Sequence, residues 1–113
     1  MNEEQILCAC SAYEEKYYFN PRYASLPGQI QEELKIMAVT MTADVGGVFT
    51  MEFDQDGTLY MSTTAKENDF TYDEIGSHLK IKQYRTQYAE LLENLETYYC
   101  AFFINGGKDV ISD

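Results

Sequence analysis

Residues 48–64 restrict the fold more than any other stretch. From Val48 to Asp54, Phe49, Met51 and Phe53 fall on one face, while Thr50 and Glu52 fall on the other. That period of two belongs to a β-strand half buried against a core. Asp54-Gln55-Asp56-Gly57 follows as a turn, with Gly57 free to take positive φ. Leu59, Met61 and Thr63 then alternate with Tyr60, Ser62 and Thr64. The pattern predicts an antiparallel hairpin over about residues 48–65 with one half-buried face.

The flanking segments read as helical. Ile6, Cys10, Tyr13 and Tyr17 recur at i, i+4, i+7 and i+11, and Asn2 with Gln5 resembles a capping box, so a first helix is expected from Asn2 to about Phe19. Asn20-Pro21 ends it, because the residue before proline resists the helical region. Pro27 suits the first turn of a second helix, with Ser25 as its cap. Ile30, Leu34 and Met37 keep helical spacing. Beyond Lys35, Met37, Ala38, Met41 and Val45 suit a helix, while Ile36, Val39, Thr40, Thr42 and Val45 are β-branched, which leaves 36–45 open between helix and strand. Gly46-Gly47 ends the element in either case.

After the polar break at residues 66–69, Thr71 with Glu74 reads as a capping box. An apolar stripe of Ile81, Tyr84, Tyr88, Leu91, Leu95, Tyr98 and Phe102 then runs at alternating spacings of three and four, the seam of one long helix over about residues 72–104. Gly76 is a point where it could divide. Asn105-Gly106-Gly107 ends it, and 107–113 reads as a loose tail. The expected fold is α+β: N-terminal helices, an antiparallel sheet of two or three strands and one long C-terminal helix, in a single domain spanning residues 1–113.

Charge narrows the function classes. Nineteen acidic residues against eight Lys and Arg give a net charge of −11. A nucleic-acid backbone would be repelled, so no nucleic-acid partner is expected. No run approaches the roughly 20 apolar residues needed to span a bilayer, so no membrane partner is expected. The acidic start, Met1-Asn2-Glu3-Glu4-Gln5, is unlike a basic export signal, which points to the cytoplasm. Three cysteines, an odd count, suit reduced thiols. On a helix Cys8 and Cys10 would point about 200° apart and could not share a metal. No metal and no cofactor are expected.

Asp54-x-Asp56-Gly57 imitates half of an EF-hand loop, but the twelfth position is Ala65 where a glutamate is needed. The sequence contains no nucleophile elbow, no Walker loop and no H-E-x-x-H, so catalysis is not the expected role. The leading expectation is a non-enzymatic protein-protein interaction module. Asp54, Asp56, Asp69, Asp73 and Glu74 would form an acidic surface facing a basic protein or a second copy of the chain. Lys80, Lys82 and Arg85 precede Glu90, Glu93 and Glu96, a layout suited to an antiparallel homodimer through the last helix, crossing at Tyr84, Tyr88 and Leu91. The alternative is a small-molecule-binding or hydrolytic domain whose pocket lies between the sheet and the last helix. Tyr72, Asp73, Glu74 and His78, the only histidine, would stand at its mouth.

Five segments together carry a family resemblance: Tyr17-Tyr18-Phe19-Asn20, Leu26-Pro27, Val45-Gly46-Gly47, Phe53-Asp54-x-Asp56-Gly57 and Tyr72-Asp73-Glu74-Ile75-Gly76-Ser77. With them the chain resembles a family of small acidic bacterial proteins of unknown function, over nearly its whole length. The resemblance implies a bacterial cytoplasmic setting and supplies no functional residues. In size, acidity and helix-plus-sheet make-up the chain is also similar, by class alone, to immunity proteins that neutralise basic nuclease toxins.

Overall fold

A computed structural model describes residues 3–104; the expected tail at 107–113 lies outside them. The fold is α+β, built on one four-stranded antiparallel sheet. Strands β1 (Ile6–Ser11), β2 (Lys16–Phe19), β3 (Val48–Phe53) and β4 (Leu59–Thr64) stand in the order β2-β1-β3-β4. Helix α1 (Gly28–Val45) joins β2 to β3, and α2 (Glu74–Gln87) and α3 (Ala89–Tyr99) follow β4.

The expected hairpin is present. Val48 pairs with Thr64 at one end and Phe53 with Leu59 at the other. Asp54 closes the turn, its Oδ1 accepting from the Asp56 and Thr58 amides, both at 2.9 Å.

The first expected helix is instead the β1–β2 hairpin, which makes the sheet four strands where two or three were expected. Cys8, Cys10, Tyr17 and Phe19 supply its inner-face residues, with Cys8 opposite Phe19 and Cys10 opposite Tyr17. β1 also pairs with β3, and there it gains more than a lone helix would: its backbone is bonded on both sides and Cys8 and Cys10 bury against Met51 and Phe49. The cysteine geometry reverses accordingly. Two residues apart on a strand, both thiols point inward.

Residues 36–45 resolve as helix. Leu34, Met37, Ala38, Met41 and Val45 are buried at helical spacing on the sheet. Ser25 does not cap α1; its hydroxyl meets the Tyr98 hydroxyl at 2.7 Å. The long C-terminal helix is divided at Tyr88 (φ −110°), not at Gly76. The Tyr88 amide still donates to the Tyr84 carbonyl and the Leu92 amide to the Tyr88 carbonyl, so the hydrogen-bonding ladder is carried across the break.

All three helices lie on one side of the sheet. Inner residue Phe49 meets Tyr84 of α2 edge-on at 6.5 Å, and Phe53 stacks on Tyr99 of α3 at 4.2 Å. Tyr23, fully buried, joins Phe53, Tyr99 and Phe103 in one aromatic cluster. The core is thus a single layer between helices and sheet, and among the described residues the other face of the sheet carries no helix.

Candidate functional site

That open face is set by the alternation that builds the core. With Phe49, Met51 and Phe53 inward, Val48, Thr50 and Glu52 point outward, and with them Ala9 and Ser11 of β1, Lys16 and Tyr18 of β2 and Tyr60, Ser62 and Thr64 of β4. Tyr18, Ala9, Thr50 and Ser62 form one row across all four strands. The centre is uncharged and small. Ten tyrosines are present in the chain. The two that stand among the exposed large side chains, Tyr18 at 43% and Tyr60 at 47%, are both on this face.

Carboxylates rim it at both ends. At the β3–β4 turn, Glu52, Asp54 and Tyr60 share a shallow depression with Gln5, and the Asp54 charge holds the Tyr60 phenol above its ordinary range. At the opposite end Tyr13 and Glu14 border Val48 and Thr64. There the Tyr13 hydroxyl donates to Asp69 at 2.5 Å and accepts from the Lys66 amide at 2.9 Å. Thr71 donates to the same carboxylate through its amide and its hydroxyl. The Thr71 hydroxyl first, then the Tyr13 phenol, hold the Asp69 carboxyl below its usual range, so it stays anionic.

The five expected acidic residues therefore divide into two groups. Asp54 and Asp56 lie at one end of the six-residue strands and Asp69, Asp73 and Glu74 at the other, roughly 20 Å away at about 3.3 Å per residue. They do not make one patch; the open sheet lies between the two ends. Three of them also have local duties. Asp54 closes its turn, Asp69 anchors Thr71, and Asp73, not Thr71, caps α2 by accepting from the Gly76 amide at 2.8 Å. Asp56 borders a second shallow cleft with Glu93, Glu96 and Cys100. Glu96 is engaged there, accepting from the Leu59 amide at 2.8 Å.

The residues of the alternative pocket divide between the core and the surface. Tyr72 lies against Gly47. Its hydroxyl meets Thr63 at 2.7 Å and the fully buried Ser77 at 2.9 Å. Glu74 and His78 are about three-quarters exposed and 4.0 Å apart, an i, i+4 surface pair. Of the expected dimer seam, Tyr84 is buried within the chain's own core with its hydroxyl donating to the Met37 carbonyl at 2.9 Å. Tyr88 and Leu91 are half buried. Lys80 and Arg85 are also engaged internally, with Asp44 and with the Leu59 carbonyl.

Among the described residues no three His, Cys, Asp or Glu side chains converge to hold a metal ion, and no helix is long and apolar enough to cross a membrane. Burial pushes the Cys8 thiol up to about 12, keeping it protonated.

Sequence reasoning missed a cleft between the β1–β2 hairpin and α1, of about 600 Å³, lined by Cys10, Tyr17, Lys16, Lys35, Val39 and Thr42 among others. No motif marks it. The one available signal was Tyr17 and Phe19 alternating with Tyr18, the period of a strand.

The class is a two-layer α+β domain with a one-sided, four-stranded antiparallel sheet. Residues 4–107 match the family of unknown function DUF6145, and the chain belongs to that family. No curated protein and no solved structure matches it.

Proposed function

We propose that this chain is a non-enzymatic interaction module that receives a basic protein on the open face of its sheet. The observation that carries the reading is the placement of tyrosine. Most tyrosine rings pack inward or are half buried, and the two most exposed, Tyr18 and Tyr60, both stand on the face that no helix covers among the described residues. Tyrosine is enriched where proteins meet, because its ring gives area and its hydroxyl tolerates water. A small neutral centre allows close approach, and acidic ends steer a cationic partner and fix its orientation.

A heterologous partner fits better than a second copy on this face. Two copies laid sheet to sheet would bring Glu52 and Asp54, or Glu14 and Asp69, against like charges, which is destabilising. Three unpaired thiols suit a reducing, cytoplasmic setting.

Capture from lysate on the immobilised chain, at low salt and at about 0.5 M salt, tests the reading, since screening shortens the reach of a steered interface. Three forms are compared: wild type, Glu52→Lys on the face and Glu90→Lys on α3. The expected result is a salt-sensitive partner lost with Glu52→Lys and kept with Glu90→Lys. Equal capture by both variants, or capture indifferent to salt, overturns it.

A further inference from the structure

Helix α2 buries Ser77 and Tyr84, yet leaves Ile75 75% and Leu79 64% exposed. At about 100° per residue these two stand roughly 160° to either side of Ser77, so they share the face turned away from the core. On α1, Leu34, Met37, Ala38 and Met41 are buried, while Ile36 at 54% and Val39 at 42% face outward. No other large apolar side chain of α1, α2 or α3 is exposed. We propose that the chain forms a two-fold homodimer through the outer surface of its helix layer, α1 of one protomer facing α2 of the other.

The two helices lie side by side and antiparallel, which makes their outer faces one surface. The Asp73 amide donates to the Val45 carbonyl at 2.9 Å, Lys80 pairs with Asp44, and the Tyr84 hydroxyl donates to the Met37 carbonyl at 2.9 Å. A two-fold axis running along the helices, between two such layers, sets each α1 on the partner's α2.

Charge selects a second copy as the occupant. Helix α1 carries Glu32, Glu33 and Asp44 against Lys35, a net −2, and α2 carries Lys80, Lys82 and Arg85 against Glu74, a net +2. With the internal Lys80–Asp44 pair set aside, α1 keeps −1 and α2 keeps +1. A copy arriving on the sheet face of this −11 chain meets like charge, whereas one arriving on the helix layer meets opposite charge beside aliphatic surface. This contact is not the seam of Tyr84, Tyr88 and Leu91, which pack into the chain's own core.

The interface is small. Helices of 18 and 14 residues, at about 1.5 Å per residue and about 10 Å apart, present roughly 500 Å² per protomer. The total, about 1,000 Å², is near the lower bound for a specific interface, so the dimer is weak and reversible. It leaves the open sheet faces pointing outward on both sides.

Sedimentation of the full chain from about 1 to 500 μM, the range of a weak complex, tests this. The mass should rise from one chain toward two. Ile36→Gln with Leu79→Gln, at exposed positions where glutamine is a good helix former, should hold it at one chain. Lys82→Glu should weaken association at least about twofold, the scale of exposed charge contacts repeated by the axis, and more than Lys16→Glu, the same charge change on the open sheet face. Glu32→Lys should weaken it as well, although it makes the chain less negative. A single-chain mass at every concentration, an undiminished dimer in the glutamine variant, equal effects of Lys82→Glu and Lys16→Glu, or a dimer strengthened by Glu32→Lys would each overturn the proposal.

Discussion

Gly47 shows how one residue can be fixed by its surroundings. It is buried with φ +73°, and a Cβ there would run into the Thr64 carbonyl oxygen and come to 3.0 Å from the Tyr72 ring. Gly47→Ala should lower stability by about 1–3 kcal/mol, the range for an L-residue forced into left-handed backbone. Urea unfolding midpoints will measure it. Cys8 makes the pH dependence legible at the same scale. Burial raises its thiol from an ordinary 9.0 to about 12, and burial likewise raises the Tyr84 phenol from 10.0 to about 12. Both groups are bound to their protons more tightly in the folded chain, so the unfolded chain loses protons first as pH rises. Their stabilisation is whole below about pH 9 and is lost progressively from pH 9 toward pH 12. Thermal unfolding across that interval should show a falling midpoint; a flat profile would mean that these groups are not buried as described.

At the scale of elements, the β3–β4 hairpin was readable because period two, a glycine turn and a half-buried face all agreed. The β1–β2 hairpin was not, because Ala12 to Glu15 contains no Gly, Asn or Pro and Ile6, Cys10, Tyr13 and Tyr17 happen to sit at helical intervals. Pairing to β3 decided the conformation, and no local pattern reports a partner 40 residues away. The turn retains a trace of that conflict: Glu15 is non-glycine at φ +52°. Glu15→Asn should raise stability by about 0.5–1 kcal/mol, because asparagine tolerates this region better. A loss of stability would show that the glutamate has a compensating contact. The break at Tyr88 was equally hidden, since Gln87-Tyr88-Ala89 carries no helix breaker and the apolar stripe runs through it. The helical outcome over 36–45 followed from burial of Met37, Ala38 and Met41 against the sheet, which overrode the β-branched residues.

On the scale of the whole molecule, the same alternation that makes the core also leaves the opposite face open. The acidic residues were legible individually, but their placement was not: local sequence puts Asp54 and Asp69 only 15 residues apart, while the strands carry them to opposite ends of the sheet. Midway between the two ends, across all four strands, lies the uncharged row from Tyr18 to Ser62. The proposal that this row is where another protein sits is tested most directly by a photo-crosslinking amino acid at position 62, with position 83 on the exposed side of α2 as control. Irradiation in cells should give a discrete adduct with a basic protein from position 62 and none from position 83. No adduct at 62, or the same adducts from both positions, would contradict the account.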